Sequence, residues 1–120
     1  MNHFKIETEN GKTEVNWELT IRGMQYFEQA SGVAINEFYD AAQRREFRLS
    51  YWTAILWAGC KAGANLNGTP FEFSDSYEDF LVYLENQKYT PDQIVTEGMR
   101  LMGFDTKNLD APKKQGAKKE

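Results

Sequence analysis

Between Phe4 and Gly32 the spacing of apolar residues changes partway along, with only a short connection between the two regimes. Phe4, Ile6 and Thr8 alternate with polar residues, and so do Val15, Trp17 and Leu19. A period of two belongs to a strand with one covered face. Asn10-Gly11 lies between the runs, and this dipeptide suits the two left-handed positions of a tight hairpin turn. After Thr20 the recurrence of Ile21, Met24 and Phe27 is helical. A hairpin that feeds straight into a helix restricts the chain to α+β architectures. A lone hairpin is unstable in water, so the face carrying Phe4, Ile6, Val15, Trp17 and Leu19 must lie on helices or pair with another chain.

The remaining pattern predicts more helices. The first runs from about Thr20, a hydroxyl N-cap, to Ser31, with Gly32 as its left-handed stop. Gly23 inside it weakens the helix, which a close backbone contact would explain. A second, about Ala34 to Arg45, carries the stripe Ile35, Phe38, Tyr39, Ala42. A third opens at Ser50 and runs to about Ala64, with Trp52, Ile55, Leu56, Gly59, Cys60 and Gly63 on its main stripe. Trp57 falls roughly 140° from Trp52 on a 3.6-residue wheel, so this helix is apolar on more than one side, as a central helix is. Asn65 to Thr69 reads as a loop marked by Asn67-Gly68 and Pro70. A fourth helix starts near Ser74 or Ser76, with Tyr77, Phe80, Leu81 and Leu84 inward. Thr90-Pro91-Asp92-Gln93 is a capping box with proline at the first helical position; Ile94, Gly98, Leu101 and Met102 face inward behind it, and Gly103 stops the helix. The expectation is a mostly α-helical α+β domain over residues 1–104, an N-terminal β-hairpin followed by about five helices. Residues 105–120 read as a disordered Lys-rich tail.

A chain of 120 residues suits one domain with a modest core, and aromatics at 14% can supply much of its buried area. Formal net charge is -4, but five Lys against three acids leave the tail at +2 and the rest at -6. An acidic body argues against a binder of phosphate backbones, whose affinity comes from Lys and Arg. Cys60 is the only cysteine and sits in an apolar run, so no disulfide can form within one chain and a reducing cytoplasm fits. The polar start carries no signal-peptide pattern, and the longest apolar stretch, around Ala54 to Gly59, is too short to cross a bilayer. A soluble cytoplasmic protein without membrane contact is expected.

Chemistry is sparse. His3 is the only histidine and lies at the chain start, which rules out a triad or a His-based metal cluster. The acid groups Glu7/Glu9 and Asp75, Glu78, Asp79 could in principle do acid–base work, but the second set fits the first turn of a helix, where the macrodipole favours it. There is no Gly-rich phosphate loop; Gly59-x-x-x-Gly63 reads as a close helix–helix contact. No catalytic residue, cofactor site or metal site is expected, so the chain does not read as an enzyme. Arg44, Arg45 and Arg48 cluster around Glu46 and Phe47, either as a patch for nucleic acid or an acidic partner, or as cations that complement a helix end. Trp57 is either a core residue or an anchor for a protein partner.

These runs resemble the tail assembly chaperones of long-tailed bacteriophages and related phage-like elements. In that family a strand leads into a first helix that opens with Thr or Ser. The helix then carries a small residue, a Leu-Glu pair and a closing Thr/Ser-Gly. Here the matching residues are Trp17-Glu18-Leu19-Thr20, Gly23, Phe27-Glu28 and Ser31-Gly32, with Phe27 in place of Leu and Gly23 in place of Ala. Ile55-Leu56-Trp57-Ala58-Gly59-Cys60 is similar to the family's Leu-Leu-Trp-Ala-Gly-Leu run, with Cys60 as the departure. Tyr77-Glu78-Asp79-Phe80 matches an acidic helix, and the likeness covers about residues 3–103.

The resemblance implies a chaperone that coats the tape measure protein before the tail tube polymerises. Such a protein works in the bacterial host cytoplasm and is not expected in the mature virion. It also implies a homo-oligomer, with the hairpin edge and the surfaces around Trp17 and Trp57 as contacts. Family genes often make a longer product by frameshifting near their 3′ end. Pro112-Lys113-Lys114 and Ala117-Lys118-Lys119 would each suit an A-rich slippery run, and uninterrupted A-runs in the gene would be the sign of one. The alternative is a small nucleic-acid-associated regulator using Arg44, Arg45, Arg48 and the Lys-rich tail, which strongly salt-dependent DNA or RNA binding would reveal.

Overall fold

The computed structural model describes residues 2–8, 11–67 and 76–104, and in the hairpin it describes side chains only at Phe4 and from Val15 onward. Strands β1 (Asn2–Thr8) and β2 (Gly11–Trp17) form an antiparallel hairpin. Five helices follow: α1 (Ile21–Ser31), α2 (Ile35–Gln43), α3 (Leu49–Asn67), α4 (Tyr77–Asn86) and α5 (Pro91–Met102). The fold is α+β and mostly helical.

Thr8 pairs with Gly11, so Gly11 belongs to β2 and the connection is one residue earlier than the Asn10-Gly11 pattern suggested; residues 9 and 10 lie outside the described residues. Also outside them are the region expected to hold Gly68, Pro70 and the Ser74 start, the acid Asp75 and the 105–120 tail. The expected loop at Asn65 begins later, because α3 continues to Asn67.

Helix α3 is the axis of the molecule. Every residue from Tyr51 to Cys60 is buried, as its two-sided apolar pattern implied. On one side lies β2. Trp17 is 4% exposed, and its ring occupies the space where a side chain at Gly59 would stand. One turn on, a Cβ at Gly63 would overlap the carbonyl of Asn16. The two glycines therefore admit a strand, not the second helix that their spacing suggested. Hydrogen bonds join α3 to the strand and the residue after it: Trp17 Nε1–H donates to the Ile55 carbonyl at 3.3 Å, and the Glu18 N–H donates to the Gly59 carbonyl at 3.0 Å. Gly23 faces the same helix from α1, where an added Cβ would lie 3.1 Å from Cβ of Ala62, which accounts for a glycine inside that helix.

Trp52 fills the opposite side. It lies 5.0 Å centroid to centroid from Phe38 in edge contact, with Phe47 at 6.1 Å and Phe104 at 6.4 Å, and its ring presses on Gly98 of α5. Burying such a ring stabilises the fold by about 1.5–3 kcal/mol. Phe4 of β1 reaches Phe80 of α4 and Tyr89 beyond it, closing the hairpin over the helices. Ile21, expected inward, is 77% exposed; Gly23 and Phe27 are the buried residues of α1. A three-residue step from Phe27 through Met24 to Ile21 drifts off the buried face within two turns of a 3.6-residue helix.

Three helix starts follow their sequence signals, but α3 begins at Leu49, so Ser50, expected to open it, lies inside its first turn, where the Tyr51 and Trp52 N–H groups donate to the Arg48 carbonyl. Thr20 caps α1, Ser76 caps α4, and Thr90 with Gln93 completes the expected capping box of α5. Gly32 and Gly103 take left-handed φ of 74° and 84° at two helix stops. The other two left-handed corners carry no glycine. Arg45 has φ 61° and Lys88 φ 60°. At each, two backbone bonds close a Schellman turn: Glu46 N–H to Ala41 O with Arg45 N–H to Ala42 O, and Tyr89 N–H to Leu84 O with Lys88 N–H to Glu85 O. The cations complement the negative helix ends there, which offsets part of the left-handed cost.

Candidate protein-binding groove

The two non-glycine corners deliver Phe47 and Leu49 from one side and Tyr89 and Pro91 from the other. Between them the start of α3, the face of α4 and the start of α5 leave an apolar groove. Its larger part has a volume of about 210 Å³ and is lined by Leu49, Thr53, Leu81, Leu84, Glu85, Tyr89, Pro91 and Ile94. A smaller part of about 120 Å³ shares Leu49 and Pro91 and is also lined by Phe47, Asp92 and Val95. Leu49 is 43% exposed at the junction, and Val82, beside Leu81 on α4, is 51% exposed.

The floor is chemically quiet. Thr53 Oγ1 donates back to the Leu49 carbonyl at 3.1 Å and lies 2.8 Å from the Tyr77 hydroxyl, so the polar side chain of the floor is already hydrogen-bonded. Burial, which outweighs the Thr53 hydrogen bond, holds the Tyr77 hydroxyl above its usual pKa. An open groove of this kind takes apolar side chains. Each part alone falls below the roughly 300–1,000 Å³ of ordinary small-molecule pockets.

The residues singled out in the sequence lie elsewhere. Trp17 and Trp57 are 4% and 6% exposed, so both are core residues of the folded chain. Trp57 packs between Tyr26 of α1 at 6.0 Å and Tyr77 at 5.6 Å, and Lys61 Nζ sits 5.2 Å from its ring and 4.7 Å from that of Tyr26. Arg44, Arg45 and Arg48 are all exposed, on the connection from α2 to α3. Arg44 Nη2 pairs with Glu46 Oε1 at 3.0 Å, and that hydrogen bond and charge hold the Glu46 carboxyl below its usual pKa. Arg48 lies 5.8 Å from the Tyr51 ring, whose hydroxyl donates to Glu37 at 3.0 Å. Internal partners therefore hold two of the three arginines.

Cys60 is fully buried, and burial pushes its thiol well above the usual pKa. Among the described residues no group of three or more His, Cys, Asp or Glu side chains is placed to hold a metal ion. No helix among them is long and apolar enough to cross a membrane.

The sequence reading named Leu81, Leu84, Ile94 and Pro91 but not the groove they share, because its lining belongs to no single stripe. Leu49 precedes the buried run of α3, and Tyr89 and Pro91 flank a turn. No family model, curated protein or solved structure matches the chain.

Proposed function

We propose that the chain is a non-enzymatic assembly chaperone that binds a long helical protein and copies of itself. In this reading it is a tail assembly chaperone of a long-tailed phage or phage-like element, and its partner is the tape measure protein. It acts in the bacterial cytoplasm and leaves before the virion matures. The observation that carries the reading is the apolar groove between α3, α4 and α5, with Leu49 exposed in its lining, on an acidic body. A groove of this form suits the apolar stripe of an amphipathic helix. The family-like runs at Trp17–Thr20 and Ile55–Cys60 support it from the sequence side, and both lie in the contact between β2 and α3.

The mechanism is burial of the partner's apolar face, with the negative body keeping the complex in solution. The test is a tagged pull-down from the native locus with the neighbouring genes intact, read by mass spectrometry. Recovery of a very long helical protein, or of a longer frameshifted form of this chain, is the expected result. Recovery of nucleic acid in place of any helical protein would overturn the reading.

A further inference from the structure

The groove has a chemistry of its own, and it narrows what the partner presents. Resting on the helical-partner reading, we infer that the groove selects an amphipathic helix with one large and one small apolar residue a turn apart, flanked by Lys or Arg. Three observations carry this. First, the groove has two unequal seats, of about 210 and 120 Å³, with Leu49 and Pro91 common to both. Two side chains one helical turn apart on a single face would enter such adjoining seats. Second, the larger seat is walled by Leu81, Leu84 and Ile94, and its buried polar residue, Thr53, is engaged with the Leu49 carbonyl and Tyr77. A polar anchor would lose its water there without gaining a partner. Third, the charged residues of the lining, Glu85 in the larger seat and Asp92 in the smaller, are both carboxylates; among the described residues the nearby cations Arg45 and Lys88 stand at the corners and line neither seat. Like charge repels an acidic flank and favours a basic one, so the carboxylates discriminate between helices of equal apolarity.

The seats adjoin, so most of the selectivity rests in the two anchors, with the basic flank setting orientation and rate of encounter.

The probes are three labelled 20-residue helical peptides, measured by fluorescence anisotropy against the full chain. One has Leu and Ala anchors a turn apart with Lys flanks; the second replaces the Lys with Glu; the third replaces the anchor Leu with Ser. The first should bind, and its affinity should fall as salt is raised from 50 to 500 mM. The second should bind about tenfold more weakly, and the third about tenfold or more. In the protein, Leu49→Ser should cost the first peptide about tenfold and Glu85→Lys about fivefold. Equal binding of the Lys and Glu peptides, or indifference to both Leu49→Ser and Glu85→Lys with the urea midpoint unchanged, would overturn the inference. Both variants are also used in the native pull-down. If the long partner is recovered equally by wild type and variants, the groove inference falls and the chaperone reading stands. If the Lys peptide behaves as expected and no helical partner is recovered from cells, the groove chemistry stands and the chaperone reading falls.

Discussion

Along its second half α3 meets β2 so closely that glycine is needed at 59 and 63, whereas its first turn, at Leu49, stands beside open space. The same helix is therefore sealed where the strand crosses it and open at its start. At the sealed end, short of the exposed Leu66, an indole ring and a strand backbone lie against bare helix backbone, tied by bonds to the carbonyls of Ile55 and Gly59. At the open end Leu49 reaches solvent. If the groove binds as proposed, stability and recognition occupy separate stretches of one element, and substitutions should separate cleanly into those that unfold the chain and those that only weaken a partner.

The strongest test of that separation is Trp17→Ala, which empties the sealed end and should cost about 3–5 kcal/mol of stability in urea unfolding. A loss confined to binding, with the midpoint unmoved, would move Trp17 from the core to the interface. Gly63→Ala should come next. Its Cβ meets the Asn16 carbonyl, a backbone atom that cannot swing away, and the cost of about 1–3 kcal/mol exceeds the roughly 1 kcal/mol that alanine returns in helix propensity. A midpoint that rises in this variant would mean the strand can retreat. At the corners beside the groove the sign reverses. Lys88→Gly and Arg45→Gly each relieve a left-handed φ and should raise stability by about 1 kcal/mol, less what the cation contributes at the helix end.

A pH series probes the sealed end in another way. The Cys60 thiol has its folded pKa raised above the usual 9.0 by burial, so the unfolded chain loses that proton first. Its contribution is fully present below pH 9 and is lost as pH rises toward the folded value. The urea midpoint should fall above pH 9, and less steeply in Cys60→Ala; an unchanged slope would assign the loss to other groups, Tyr77 among them. The smallest stability effect belongs to the open end. Leu49→Ser should move the midpoint by less than about 0.5 kcal/mol while impairing binding.

Much of the local structure was legible in the sequence. The change of period after Thr20, the two-sided apolar pattern around Trp52 and Trp57, and the Thr90-Pro91-Asp92-Gln93 box all specify local structure directly. Even Gly23 and Gly63 announced close approach, because a glycine inside a helix is costly without one. What they approach was not legible. A small residue marks a gap, not its occupant, so Gly59-x-x-x-Gly63 pointed to a helix where the chain supplies a strand. The groove was harder still. It exists only through the relative placement of three helices, and its residues lie on two helix starts, one helix face and a turn. Trp17 and Trp57 drew notice as large rings, yet size also suits a residue to the interior.

The bond from Trp17 to the Ile55 carbonyl also has a consequence for the order of events during synthesis. The hairpin leaves the ribosome first, but the surface it needs is 38 residues further along the chain at Ile55, and ends later still at Gly63. At about 5–20 residues per second the strand that carries Trp17 waits for seconds before that helix exists to receive it. For that interval its apolar face has no cover from its own chain. The newborn chain thus carries an uncovered apolar strand face until its own central helix arrives.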